Sequence, residues 1–305
     1  MACSVSPDDI KRVKGLGFLH NKGTGCFSGR VLTGNGKVTT AQLAVIAEAA
    51  EKFGKGEVAF TSRMTIEIPG ISFDQIEAFQ QFIGKAGLET GGTGPKVRPV
   101  VSCKGTTCHF GQIDTFGLAG KIHERFYKGY HSVVLPHKFK IAVGGCPNNC
   151  VKPDLNDLGI VGQRPQKLDE SLCRGCKKCG VAEACPMKAA SVVDGKLSVD
   201  RSLCNNCGRC EGKCYFGAST GEYNGYKVYV GGRWGKQVAQ GRPISKIFTS
   251  EEEVLSIIEK AILLFREKGQ SGERFAVMID RLGFDTVEAE LLSDDILARK
   301  EAILQ

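Results

Sequence analysis

From Thr39 onward, apolar residues return at helical intervals. Leu43, Ile46, Ala47, Ala50 and Phe53 fall on one face, and Thr39 with Gln42 has capping-box spacing. Val58, Phe60, Met64, Ile66 and Ile68 then mark an extended stretch over 57–68, with a break in alternation near Thr61–Arg63 and an end at Pro69-Gly70. Ser72 and Gln75 cap a second helix with Ile76, Phe79 and Ile83 inward. Upstream, residues 11–36 are glycine-rich and show little periodicity, and residues 84–96 hold five glycines and a proline, which reads as a mobile connection. Further on, Val97–Ser102 predicts a short strand. Thr115 to Lys128 predicts a helix with Leu118, Ile122 and Phe126 inward, and Tyr226–Val230 another strand. Ser250 and Glu253 cap a long helix carrying Val254, Ile257, Ile258, Ile262 and Phe265. Segments 57–86 and 226–268 thus share a coarse order of strand, basic turn and helix, which fits two related half-domains and an α+β fold.

At 305 residues the chain can bury a substantial core and divide into two or three domains. Its first residues, MACSVSPDDI, form no apolar stretch of signal length, and no apolar run long enough to span a membrane follows. The expectation is a soluble, cytoplasmic protein. The net charge is +8, yet Lys and Arg are spread along the chain, and no basic helix or sheet with stacking aromatics is visible. An anionic cofactor or substrate therefore explains the surplus better than nucleic acid. GGTGPK lacks the strand–G-x-G-x-x-G–helix context of a dinucleotide site, so electrons, if used, arrive from another protein.

Cysteine changes the picture most. Of 14 cysteines, all but Cys3 and Cys26 fall into tight groups. In a reducing compartment such spacing indicates metal ligands rather than disulfides. Cys173, Cys176 and Cys179 are followed by Cys185-Pro186; Cys204, Cys207 and Cys210 are followed by Cys214. This block, residues 168–217, resembles the bacterial two-cluster ferredoxins, in which the fourth cysteine of each run ligates the other cluster. That resemblance assigns Cys173, Cys176, Cys179 and Cys214 to one [4Fe-4S] cluster, and Cys204, Cys207, Cys210 and Cys185 to the other. Five residues precede Cys185 where three are usual, and structural zinc is the lesser alternative. The isolated His123 and His131 have no metal-ligand spacing and read as ordinary surface or core residues.

Cys103, Cys108, Cys146 and Cys150 make a third set. Alone, C-x4-C…C-x3-C supports only a four-iron cluster of unusual spacing. Cys146 sits in GGCPNNC, where glycines admit close backbone approach and amides can point at cluster sulfurs. Just upstream, in LPHKFK, an extended backbone would put Lys138 and Lys140 on the same side.

The stretches TSRMTIEIPGI, VRPVVSCKGTTC, LPHKFKIAVGGCPNNC and GGRWGK, in that order, resemble the sirohaem-dependent sulfite and nitrite reductases, most nearly the catalytic C subunit type of anaerobic sulfite reductase, with an inserted two-cluster ferredoxin. The resemblance covers nearly the whole chain, although four residues separate Cys103 from Cys108 where the family commonly has five. It implies an N-terminal ferredoxin-like half-domain over 1–95. The sirohaem- and cluster-binding domain would comprise 96–167 and 218–305, with the ferredoxin insert at 168–217. It implies sirohaem and three [4Fe-4S] clusters, with Cys150 as the thiolate shared between sirohaem iron and the cluster of Cys103, Cys108 and Cys146. It places the substrate cations at Arg30, Arg98, Lys138 and Lys140, and the sirohaem-carboxylate ligands at Arg63, Arg233 and Lys236. Asn148 would lie beside the cluster. The implied activity is six-electron reduction of sulfite to sulfide, fed by a flavin- and NADH-binding subunit and an iron–sulfur subunit. Nitrite reduction to ammonia uses the same centre and is the rival reading. A ferredoxin-type electron-transfer subunit would keep the insert, but has no use for the third cysteine set beside paired basic residues.

Overall fold

A computed structural model describes residues 5–305; Cys3, with the rest of the first four positions, lies outside the described residues. The chain forms a mixed α and β structure with two compact units. One comprises Met1–Val101, Ala119–Ile141 and Glu259–Gln305, the other Ser102–Leu118 and Ala142–Ile258.

In the first unit, a four-stranded antiparallel sheet runs in the order Phe18–His20, Cys26–Val31, Ile66–Ser72, Ala59–Phe60. Helices Thr40–Phe53 and Ile76–Gly84 contribute to the same core. Phe18, Phe27, Ile46, Ile68, Ile71 and Phe79 have no exposed surface, and Phe79 meets Phe18 and Phe53 edge-on at 5.8 Å. The Thr39–Gln42 capping box forms, but the buried face is Ile46, Ala49, Ala50 and Phe53. Leu43 and Ala47 are exposed, because the sheet covers the stripe one position round from the predicted one.

Several expectations are corrected. The strand does not stop at Pro69-Gly70. It continues to Ser72, and Gly70 at φ 90° absorbs an irregularity opposite Phe27–Gly29. Ser72 caps no helix through its side chain; a 3₁₀ turn over Phe73–Gln75 precedes the helix. The aperiodic amino-terminal region contains a helix, Pro7–Gly15, whose first turn is closed by the Ser6 side chain accepting from the Asp9 amide at 3.1 Å. The glycine-rich connection is pinned rather than loose at its centre. Leu32 N–H donates to Glu89 C=O at 2.8 Å and Gly91 N–H to Arg30 C=O at 3.1 Å, and Gly91, Gly92 and Thr93 are buried. The helix predicted to reach Lys128 is α-helical over Thr115–Ile122 and then widens to a π-helix over His123–Lys128.

In the second unit, a five-stranded sheet has the order Arg242–Phe248, Gly225–Val230, Leu158–Gln163, Ile141–Gly144, Val101–Ser102. Every residue of Leu158–Gln163 is buried, as an interior strand requires. The strand Arg242–Phe248 intervenes before the helix Glu251–Lys268, so the proposed repeat of strand, turn and helix has an extra strand in its second half. Ser250 and Glu253 do cap that helix reciprocally, each amide donating to the other's side chain at 3.2 Å. Residues 168–217 leave the sheet through a neck in which Gln166–Leu168 pairs with Ser219–Gly221. Beyond the neck lie one hairpin, Ala190–Val193 with Lys196–Val199, and a short helix, Gly180–Ala184.

Candidate cluster and anion sites

Two buried strands of the second unit deliver one set of cysteines. Cys103 follows Val101–Ser102, and its amide donates to Val143 C=O at 3.1 Å. The Thr115 hydroxyl holds the Cys103 carbonyl at 2.7 Å. Ile141–Gly144 ends at the GGC turn carrying Cys146, with Cys150 beyond it. The loops touch through glycine: a Cβ on Gly145 would lie 2.7 Å from the Gly105 Cα, and one on Gly105 would lie 2.8 Å from the Gly145 Cα. Any side chain there would push the cysteine loops apart.

Backbone amides point at the sulfurs. Gly145 N–H donates to Cys103 Sγ at 3.1 Å, and the Asn148 amide donates to the Cys146 sulfur. Burial pushes the Cys146 thiol up, and the neighbouring Cys103, Cys150 and Cys108 raise it further. Four thiols this close resist joint ionisation unless a cation compensates them. Cys150 is the exposed member, while the other three are half-buried. Among the described residues, no three His, Cys, Asp or Glu side chains converge on a single ion. A cubane asks for something else, one thiolate for each of its four corner irons, and four cysteines supply that number.

Residues 168–217 hold the other eight cysteines. Cys210 is pushed up to about 11 by burial, and then by Cys207, Cys204 and Cys185, so the distant Cys185 lies with the second run. Cys173, Cys179, Cys185, Cys210 and Cys214, drawn from both runs, pack on the small core of Val181, Ala190 and Leu197. The Cys173 thiol is pulled down by amides of Gly175 and Leu197, the latter at 3.2 Å; Cys176 is half-buried nearby in sequence. The second run is also tied to the first cysteine set. Gln112 N–H donates to Gly145 C=O at 2.8 Å, and the Gln112 side chain donates to Cys207 C=O at 3.2 Å. The Arg209 guanidinium sits 4.3 Å from the centre of the Phe110 ring.

A cationic group occupies the first unit. His137 is half-buried, and its pKa is depressed by burial and by the charges of Arg274, Lys138, Arg98 and Lys140. Arg98, Lys138 and Lys140 thus each lie within electrostatic range of the His137 ring. Phe139 between the lysines is fully buried against Phe265 and Phe275, which turns both lysines away from the core. Arg30 makes a different set of contacts. Its Nε and Nη2 donate to Glu67 Oε1 at 2.9 and 2.5 Å, and its Nη1 donates to Gly92 C=O at 3.0 Å. Arg98 Nη1 donates to the same carbonyl. Arg63 donates to the carbonyls of Pro99, at 2.6 Å from Nη2, and of Ile141, at 3.0 Å. Arg233 is half-buried in a turn closed by its backbone pairing with Ala239, and Lys236 is exposed in that turn. Sequence reasoning missed His137, although it lies inside LPHKFK. It also missed Arg274, which precedes the helix Phe275–Leu282 without any motif around it.

The family model described as the nitrite and sulphite reductase 4Fe-4S domain matches residues 93–296, and that of the nitrite/sulfite reductase ferredoxin-like half domain matches residues 19–86. The chain belongs to the nitrite and sulfite reductase family. Among its relatives, the coenzyme F420-dependent sulfite reductase of Methanocaldococcus jannaschii is 34% identical over 243 residues, covering 78% of this chain and 38% of that protein. The C subunit of the anaerobic sulfite reductase of Salmonella typhimurium is 28% identical over 160 residues, covering 47% of this chain and 46% of that relative. The chain thus spans well under two thirds of the length of those two relatives. A solved dissimilatory sulfite reductase I shares its fold with a TM-score of 0.71 at 22% identity, covering 88% of this chain and 69% of that one. Among the described residues, no helix is long and apolar enough to cross a membrane.

Proposed function

We propose that this chain is the catalytic subunit of an anaerobic-type sulfite reductase, carrying sirohaem and three [4Fe-4S] clusters. The observation that carries the reading is the combination, in one chain, of a glycine-cradled cysteine quartet with a group of cations that includes Arg98, Lys138 and Lys140. The relatives named for sulfite reduction support it.

Cys103, Cys108, Cys146 and Cys150 would hold one cluster, with the exposed Cys150 as the thiolate shared with sirohaem. Arg63, Arg233 and Lys236 are the proposed partners of the sirohaem carboxylates. Bound together, the two groups would supply the iron site and pass on, one at a time, the six electrons that sulfite reduction draws from an outside donor. The chain's own residues do the rest. Sulfite is an oxyanion whose S–O bonds are protonated and broken. Arg98, Lys138 and Lys140 bind its oxygens and stabilise the charge that develops as those bonds weaken. Lys138 and Lys140 can also deliver protons, and Arg30, tied to Glu67, borders this group through Gly92. The insert cysteines would hold the two relay clusters, with electrons arriving from a flavin- and NADH-binding subunit and an iron–sulfur subunit.

The test is steady-state turnover with a chemical electron donor, which needs no partner protein. Lys138→Ala, Lys140→Ala and Arg98→Ala are each expected to keep their iron and sirohaem content while losing roughly 10²-fold in sulfite turnover. Full activity in all three variants would reject the anion site. Running the same assay with nitrite decides between the two family activities; sulfite is expected to be the better substrate.

A further inference from the structure

Tyr127 is buried in the π-helical segment, where Gly129 N–H reaches back to Glu124 C=O at 3.0 Å. The widened turn inserts a residue and re-aims the side chains that follow. His123 stacks on the Tyr127 ring at 4.7 Å with an interplanar angle of 20°. The hydroxyl accepts from the Gly92 amide at 2.9 Å. A Cβ on Gly91 would collide with that hydroxyl, so the backbone approaches the phenol as closely as glycine allows.

Gly92 is the residue that both arginines share. Its carbonyl accepts from Arg30 Nη1 at 3.0 Å and also from Arg98 Nη1. Its φ is 75°, and a Cβ there would fall 2.8 Å from Pro99 and 3.3 Å from the Arg30 side chain. Only glycine fits, and glycine is also the residue least able to hold its own conformation. The fixing must come from outside. Gly91 N–H donating to Arg30 C=O at 3.1 Å supplies one constraint, and the Tyr127 hydroxyl supplies the next.

We propose that Tyr127 is a positioning residue for the oxyanion site: its hydroxyl fixes Gly92, whose carbonyl holds the Arg98 guanidinium in the arrangement that meets substrate. Glu67 balances Arg30 from the other side, at 2.5 Å. Two cations can then share one carbonyl. This inference rests on the assignment of Arg98 to substrate.

A double-mutant cycle on the holoprotein tests it. Tyr127→Phe keeps the ring, its stacking and the fold, and removes only the hydroxyl. It is expected to lower kcat/KM for sulfite about tenfold and to weaken equilibrium sulfite binding, measured by calorimetry on the oxidised protein, with sirohaem and iron content unchanged. In an Arg98→Ala background the same substitution should change kcat/KM by less than about twofold, since a residue acting through Arg98 has nothing left to position. A full tenfold loss in that background, or no loss in the single variant, overturns the inference while leaving the anion site standing. Full activity of Arg98→Ala itself overturns both.

Discussion

Cys103 and Cys146 follow strands in which every side chain is buried, whereas the eight cysteines of residues 168–217 ride on turns, one hairpin and a five-residue helix. The buried apolar cluster beneath the second group is Val181, Ala190 and Leu197, with five of its cysteines among the residues packed against it. Val193, Leu203 and Tyr215 in the same segment are 52%, 50% and 95% exposed. In one region a sheet positions thiolates for a cluster. In the other, under the proposed cluster assignment, bound metal would stand in for the missing core, as it does for segments too small to bury enough apolar surface. Stability should therefore depend on metal in one region and on packing in the other.

Stripping the clusters with an oxidant and chelator should have the largest effect. Hydrogen exchange is expected to lose nearly all protection over Ala190–Val199, while Leu158–Gln163 and Gly225–Val230 keep theirs. An insert that stays protected without metal would break the distinction. Next comes packing. Ile160→Ala, at a fully buried strand position, should lower global stability by about 3 kcal/mol in denaturant titration. Val181→Ala, equally buried, should cost the global transition about 1 kcal/mol or less, and instead hasten bleaching of the iron–sulfur absorbance proposed for residues 168–217. Equal global losses for the two would argue for one shared core.

The smallest expected effect concerns the tie between the regions. Arg164 pairs with Glu211 at 2.7 and 3.0 Å, and its amide donates to Asn206 C=O at 2.7 Å. The pair is partly solvated, so its coupling should be about 0.5 kcal/mol. The Arg164 bond holds the Glu211 carboxyl below its usual range. A depressed native pKa means that the unfolded state takes up the proton first. The contribution is therefore complete above the ordinary glutamate value and is lost as pH falls through the depressed one. A cycle of Arg164→Ala and Glu211→Ala should show the coupling near pH 6 and less of it near pH 4; a coupling that grows in acid would contradict the assignment.

Much of this organisation is legible in residue order alone. Twelve cysteines in short spacings suggest metal ligation because thiolates a few residues apart can converge on one group. The Thr39–Gln42 and Ser250–Glu253 caps form because both partners lie within one helical turn. The alternation of Lys138, Phe139 and Lys140 separates core from charge through the two-residue period of extended backbone. Each of these signals is local.

What only the tertiary structure decided involves partners distant in sequence. Pro69 looked like a strand end, but the pairing of Ile71 with Phe27 carries the strand past it. The resemblance offers Arg30 as a substrate cation, and only the fold shows that Glu67, far along the chain, holds two of its nitrogens. Arg274 and His137 join the cationic group, and Tyr127 reaches Gly92, only because the fold closes long loops around them. Residue spacing encodes contacts within a turn or a strand. Contacts across loops of dozens of residues carry no periodic signature, because their cost is the entropy of closing the loop and their reward appears only when the whole core packs.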